Sequence, residues 1–247
     1  MNKKISEIKA EFEATDKVML NELYAKYEKD ERTGVVNLIQ KYKKQEQKLC
    51  MERERIENMR IYERKYAHFS YICGIDEVGR GPLAGPVVAG AVILPKDCEI
   101  LYLNDSKKLS EKRREELYDE IMEKAIATGI GIVSPARIDE INILQATYEA
   151  MRIAIQQLET EPDLLLNDAV TIPGVTIDQV PIIKGDAKSV SIAAASIIAK
   201  VTRDRLIGSS MTVCCCLDME FASNKGYGSA EHITGVENAW SYTDSIE

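Results

Sequence analysis

Over residues 1–70 the apolar positions recur at helical spacing. Ile5, Ile8 and Phe12 share one face, as do Val35, Leu38, Ile39 and Tyr42. The stretch from Lys41 to Ala67 contains no Gly or Pro and is rich in strong helix formers. Asp30-Glu31-Arg32-Thr33-Gly34 is the expected break between two helical segments. From Tyr71 the pattern changes: short apolar runs bounded by Gly and Pro alternate with helical segments, which predicts an α/β domain. Strands are expected at Tyr71–Ile75, Val87–Leu94, Gly129–Ser134, Asp163–Asn167 and Pro181–Ile183. Helices are expected at Ser110–Ile126, Asn142–Leu158 and Ser189–Ile207, with Ser110 and Ser189 as N-caps. The expected organisation is a small helical extension over 1–70 followed by an α/β domain over 71–247.

A chain of 247 residues has room for one sizeable domain and a small appendage. No apolar run approaches the length of a membrane-spanning helix. The opening MNKKISEIKAEFEATDK mixes both charge signs and lacks the apolar core of a signal peptide, so a cytoplasmic address is expected. The six cysteines include the run Cys214-Cys215-Cys216 but form no C-x-x-C pair, which argues against zinc. A reducing compartment argues against disulfides.

The net charge of −8 divides unevenly. Residues 1–70 carry 16 Lys and Arg against 13 Asp and Glu, a net of +3, which leaves −11 on the remainder. An acidic domain repels phosphate unless divalent cations bridge the two.

The candidate chemistry lies in CGIDEVGRGPLAGPVVAG, residues 73–90. Asp76 and Glu77 are expected where a short strand runs into a turn, loose enough for both carboxylates to lean toward one site. Gly79, Gly81 and Gly85 allow backbone N–H groups close to a ligand, and Arg80 supplies a planar donor fork suited to phosphate. Alone, an Asp-Glu pair reads as an ordinary charged turn; two later acids change that reading. Asp168 follows Leu164-Leu165-Leu166 at a strand's carboxyl end, where open α/β sheets place ligands. Asp186 lies in a Lys-Gly-Asp turn before a helix whose Ala193-Ala194-Ala195-Ser196 run is explained by close packing. Four such acids suit a two-cation phosphodiesterase, with Mg²⁺ or Mn²⁺ ions roughly 3.5–4 Å apart.

GIDEVGRGPLAGPVVAGAVILP, DSKKLSEKRREELYDEI, NILQATYEAM and KGDAKSVSIAAASIIAKVTRDR resemble the bacterial ribonuclease HII family, over 71–207 and again in FASNKGYGSAEHI at 221–233. The resemblance implies a ribonuclease H-like fold, a mixed β-sheet flanked by helices. It implies an endonuclease that cuts the RNA strand of RNA–DNA hybrids and the 5′ side of ribonucleotides embedded in DNA. The products would carry 3′-hydroxyl and 5′-phosphate ends. Asp76, Glu77, Asp168 and Asp186 are the implied metal ligands, for two Mn²⁺ or Mg²⁺ ions. Gly79, Arg80 and Gly81 would read the ribose 2′-hydroxyl, and Tyr227 would pack on the neighbouring deoxyribose. The implied partner is nucleic acid, with no membrane and a monomeric chain. Residues 208–219 and 236–247 depart from the family pattern. They motivate an alternative expectation of a catalytically impaired, hybrid-binding protein with a damaged C-terminal region.

Overall fold

A computed structural model describes residues 3–16, 19–210 and Lys225. The stretches 208–219 and 236–247 singled out above, and Tyr227, lie wholly or largely outside them. The chain divides into two compact units between Arg55 and Ile56.

The first unit holds helices α1 (Ile5–Ala14), α2 (Leu20–Tyr27) and most of α3 (Thr33–Met59). The expected break falls between α2 and α3, and a second, unforeseen one follows Ala14. Ile8, Phe12, Leu20, Leu23, Tyr24, Tyr27 and Val35 make a separate small core. Phe12 is its centre, with ring centroids of Tyr42, Tyr24 and Tyr27 at 5.0, 5.8 and 6.2 Å.

The second unit begins inside α3. Ile56 and Met59 join its core, and α4 (Ile61–Lys65) follows. Its sheet comprises β1 (Ile72–Val78), β2 (Val87–Ile93), β3 (Ala127–Val133), β4 (Leu164–Asp168) and β5 (Asp178–Ile182), in the order β3-β2-β1-β4-β5. β1 runs antiparallel to β2, and β2 to β3, whereas β4 lies parallel to both β1 and β5. Period-two alternation sends Cys73, Ile75, Val87, Ala89, Ala91 and Leu165 to one face, under α7 (Ile143–Gln156). Val92 goes to the other face, under α5 (Glu111–Lys124) and α8 (Val190–Ser210). A Cβ built on Gly74 would sit 2.1 Å from the backbone of Ser191, so only glycine allows β1 and α8 to approach this closely.

The expected elements are all present, with shifted ends. β5 starts at Asp178 rather than Pro181; it is an edge strand, where a proline without an N–H is tolerated. Ser110 and Ser189 cap α5 and α8 through the N–H groups of Arg113 and Ile192. Helix α6 (Pro135–Ile141) was not expected; it buries no residue and therefore leaves no apolar stripe to read.

Candidate active site

β1 and β4 pair from Ile72↔Leu164 to Ile75↔Asn167 and then part. The next residue on each strand is an acid, Asp76 and Asp168. Residues in parallel register share a face, and both acids follow the alternation that points Gly74 and Leu166 toward α8. Glu77 leaves β1 on the other side, yet remains within electrostatic reach of Asp168. The two acids do not sit at a loose strand end, as the sequence suggested. β1 continues to Val78, and Asp76 and Glu77 pair with Gly90 and Ala89 of β2. What opens at this point is the β4 side of the ladder, and that gap makes the site.

Asp186 arrives from the turn Gly185–Ala187 between β5 and α8, entered through Lys184 at φ +57°. Gly185 N–H donates to Asp168 Oδ1 at 2.7 Å, tying that turn to the end of β4. All four acids are thereby drawn into one electrostatic neighbourhood. Burial holds the Asp76 carboxyl well above the usual carboxylate range, and the charges of Glu77 and Asp168 push it further. Burial also raises Glu77; Arg80 at 3.3 Å holds part of that rise back, and Asp168 adds to it. Asp186 is raised by burial, then by Asp105 and Asp168.

Partly buried carboxylates that repel one another are a donor set a hard divalent cation satisfies, through oxygen and by charge. Among the described residues no three potential ligands are gathered tightly enough to enclose an ion by themselves. The donor set fits a Mg²⁺-type ion held by one or two carboxylates, with water and substrate phosphate completing its shell.

A family model for ribonuclease HII matches residues 73–246, and one for the ribonuclease HII N-terminal domain matches 4–67. The chain belongs to the ribonuclease HII family. A ribonuclease HII of Lachnoclostridium phytofermentans is 70% identical over 191 residues, 77% of this chain and 74% of that protein. A ribonuclease HII of Bacillus subtilis is 57% identical over 186 residues, 74% of this chain and 72% of that one. Among solved structures, ribonuclease H2 from Pyrococcus horikoshii matches with TM-score 0.59 and 26% identity, over 72% of this chain and 90% of that chain. Ribonuclease HII from Archaeoglobus fulgidus, solved in a complex with PCNA, matches with TM-score 0.53 and 30% identity, over 72% and 91%. The five-stranded mixed sheet with helices on both faces is the ribonuclease H-like fold.

Several residues around the acids escaped the sequence reading. The Ser196 hydroxyl donates to the Ser106 hydroxyl at 2.9 Å, both serines being buried, and Ser196 also holds back part of the rise at Asp76. The Ala193-Ala194-Ala195 run is fully buried, in keeping with packing, but Ser196 makes a polar link from α8 to the Asp105-Ser106-Lys107 turn. Only its place directly after three alanines hinted at this. Arg203 is wholly buried and donates to the carbonyls of Pro86 at 2.9 Å, Ala84 at 3.0 Å and Lys225 at 2.9 Å.

The two glycines flanking Arg80 have different constraints. Gly79 sits at φ +108°, and a Cβ there would lie 2.5 Å from Pro86 O. Gly81 is outside the left-handed region, and its Cβ would meet nothing within 4 Å. Gly79→Ala should therefore lower stability by about 1–3 kcal/mol and reduce activity with it. Gly81→Ala should leave the melting temperature unchanged, so any loss of cleavage would come from the missing approach to substrate. Thermal unfolding measured beside kinetics separates the two; a Gly81→Ala protein that melts several degrees early would contradict the assignment.

Proposed function

We propose that the chain is an endonuclease that hydrolyses the RNA strand of RNA–DNA hybrids and the 5′ side of ribonucleotides embedded in DNA. Products carry 3′-hydroxyl and 5′-phosphate ends. The observation that carries the reading is that Asp76 and Asp168 follow the last paired residues where β1 and β4 part, with Glu77 and Asp186 in the same mutually repelling group. These four acids would hold two divalent cations, Mn²⁺ or Mg²⁺. When bound, such ions supply an activated water and offset charge on the leaving oxygen. The protein's own contribution is positional. Gly185 N–H fixes one oxygen of Asp168, and Glu77 N–H one oxygen of Asp76. The half-exposed guanidinium of Arg80 is available to a phosphate, and open space at Gly81 admits a ribose against the backbone. Tyr227, expected on the neighbouring deoxyribose, lies outside the described residues.

Among the described residues no helix is long and apolar enough to cross a membrane. A monomeric enzyme acting on nucleic acid in the cytoplasm completes the proposal. Its test is cleavage of a DNA duplex containing one ribonucleotide, by purified protein with Mg²⁺ or Mn²⁺. Binding without cleavage would instead support the catalytically impaired alternative.

The N-terminal unit is assigned a role in substrate binding rather than in chemistry. Its proper deletion is 1–55 and not 1–70. Ile56 and Met59 belong to the second unit's core, and Tyr62, Tyr66 and Phe69 pack around Ile72, Leu164 and Ile192. Removing 1–55 should raise KM severalfold and flatten the salt dependence of binding, because fewer counterions are released. An unchanged salt slope would show that the unit does not touch the phosphate backbone.

A further inference from the structure

The turn carrying Asp186 runs directly into α8, so the first turn of that helix sets where the acid stands. The opening N–H groups of any helix lack intrahelical partners and need outside acceptors. Here one acceptor comes from far away in sequence. Glu63, on α4, places Oε1 2.5 Å from the Ser189 hydroxyl and 3.1 Å from the Ser191 N–H, both donating to it. The Ser189 oxygen in turn accepts from Ile192 N–H at 3.2 Å. Ser189 is completely buried and Ser191 nearly so, so solvent is no substitute for the carboxylate. Oε2 of Glu63 is buried and makes no hydrogen bond among the described residues, so Oε1 alone accepts from α8.

The connection continues to the acids in short steps. Ser189 N–H donates to Gly185 O at 2.8 Å, and Lys188 N–H to the same oxygen at 2.9 Å. Gly185 N–H holds Asp168 Oδ1 at 2.7 Å, and Asp186 is the next residue. On the opposite side Gly74, two residues before Asp76, lies flat against the Ser191 backbone. The first turn of α8 is thus held between the Asp76 strand and the Asp168–Asp186 turn, and Glu63 supplies the acceptor that completes it. A negative charge at the start of a 21-residue helix is also favoured by the helix dipole.

We propose that Glu63 is a positioning residue: by capping α8 through Ser189 and Ser191, it fixes the Gly185–Ala187 turn and so the placement of Asp168 and Asp186. This rests on the reading of those acids as cation ligands. It also gives residues 56–69 a part in assembling the site rather than in linking two units.

The test compares Glu63→Ala and Glu63→Gln in the full chain by amide hydrogen exchange and by Mn²⁺ titration calorimetry. Glu63→Ala should speed exchange at Ser191 and Gly185 roughly tenfold, the size of a typical cap contribution. It should also weaken Mn²⁺ binding by about tenfold, the lower end of the range for residues that support metal ligands from behind. Substrate KM should stay within about twofold, because the Glu63 carboxylate is engaged by Ser189 and Ser191. Glu63→Gln keeps an oxygen for both donors and should stay close to the parent in exchange and in Mn²⁺ affinity. Unchanged exchange at Gly185 in the alanine variant overturns the proposal. So does faster exchange with unaltered Mn²⁺ affinity, or a glutamine variant as impaired as the alanine one. A parent chain that binds no Mn²⁺ would instead overturn the reading of the acids, and the proposal with it; exchange still reports whether Glu63 caps the helix.

Discussion

Asp76→Asn should lower cleavage by roughly 10³-fold or more while making the cation-free protein more stable. Both halves follow from the same surroundings. Asp76 is 7% exposed and held well above the usual carboxylate range by burial and then by Glu77 and Asp168. A carboxyl that keeps its proton more tightly folded than unfolded contributes stability fully below its unfolded value, near about 4, and loses that contribution as pH rises through the folded value. In EDTA the parent protein should therefore become less stable as pH climbs from about 4 toward neutrality. Asparagine preserves an oxygen for the Glu77 N–H, which Asp76 Oδ1 accepts at 2.8 Å, and removes the charge. The gain should be on the order of 1–3 kcal/mol, a rise of about 3–8 °C in melting temperature at pH 7. Adding Mn²⁺ should narrow the gap by stabilising only the parent, since ligand binding favours the folded state that holds it. Differential scanning calorimetry with and without Mn²⁺, beside single-turnover cleavage, reads every part. Near-normal turnover by the variant at saturating Mg²⁺ or Mn²⁺ would sink the assignment of Asp76; an EDTA melting temperature below the parent's would sink the electrostatic account.

The parts of this molecule legible from sequence are those governed by local patterning. Alternating faces, the Ser110 and Ser189 caps and the Gly-rich turn after β1 each depend on neighbours within a few residues. Strand-end and turn positions singled out the four acids and the family motifs implied their role, but their meeting place depends on register: Ile75 opposite Asn167 puts Asp76 beside Asp168. Nothing in the pattern fixes that register, and the expected loose strand end at Asp76 was wrong for the same reason. Glu63 meets Ser189 across 126 residues, Ser106 meets Ser196 across 90, and Arg203 meets Pro86 across 117. Each of these polar contacts joins two residues that look unremarkable in their own segments. A charged residue in a helix reads as a solvated face, and only the fold shows that it is enclosed. The compact units part between Arg55 and Ile56, ahead of residue 70, for a similar reason. Residues 56–69 are helical in texture like those before them, but their apolar side chains pack on the sheet domain.

Arg203→Leu should destabilise the protein by about 3–5 kcal/mol, lowering the melting temperature by about 10 °C or more. Leucine matches neither the reach nor the donors of a side chain that is 0% exposed. It would leave the carbonyls of Ala84 and Pro86 without their guanidinium donor in the interior. Arg203→Lys should be less harmful but still costly, because a single ammonium cannot reproduce a planar fork that reaches three carbonyls at once. The functional consequence falls on the Gly79–Pro86 loop. Cβ atoms built on Gly79 and Gly85 would lie 3.1 and 2.9 Å from the guanidinium nitrogens, so the loop's glycines and the arginine are fitted to each other. If Gly79–Gly81 reads the ribose as proposed, loosening that fit should impair cleavage at a single ribonucleotide more than cleavage of a continuous hybrid, which offers many registers. The measurements are thermal unfolding and the ratio of kcat/KM on the two substrates, taken well below the variant's melting temperature. A melting temperature within about two degrees of the parent would show that the buried guanidinium is dispensable to the fold. An unchanged substrate ratio in a destabilised Arg203→Lys protein would separate the loop's role in folding from any role in reading the ribose.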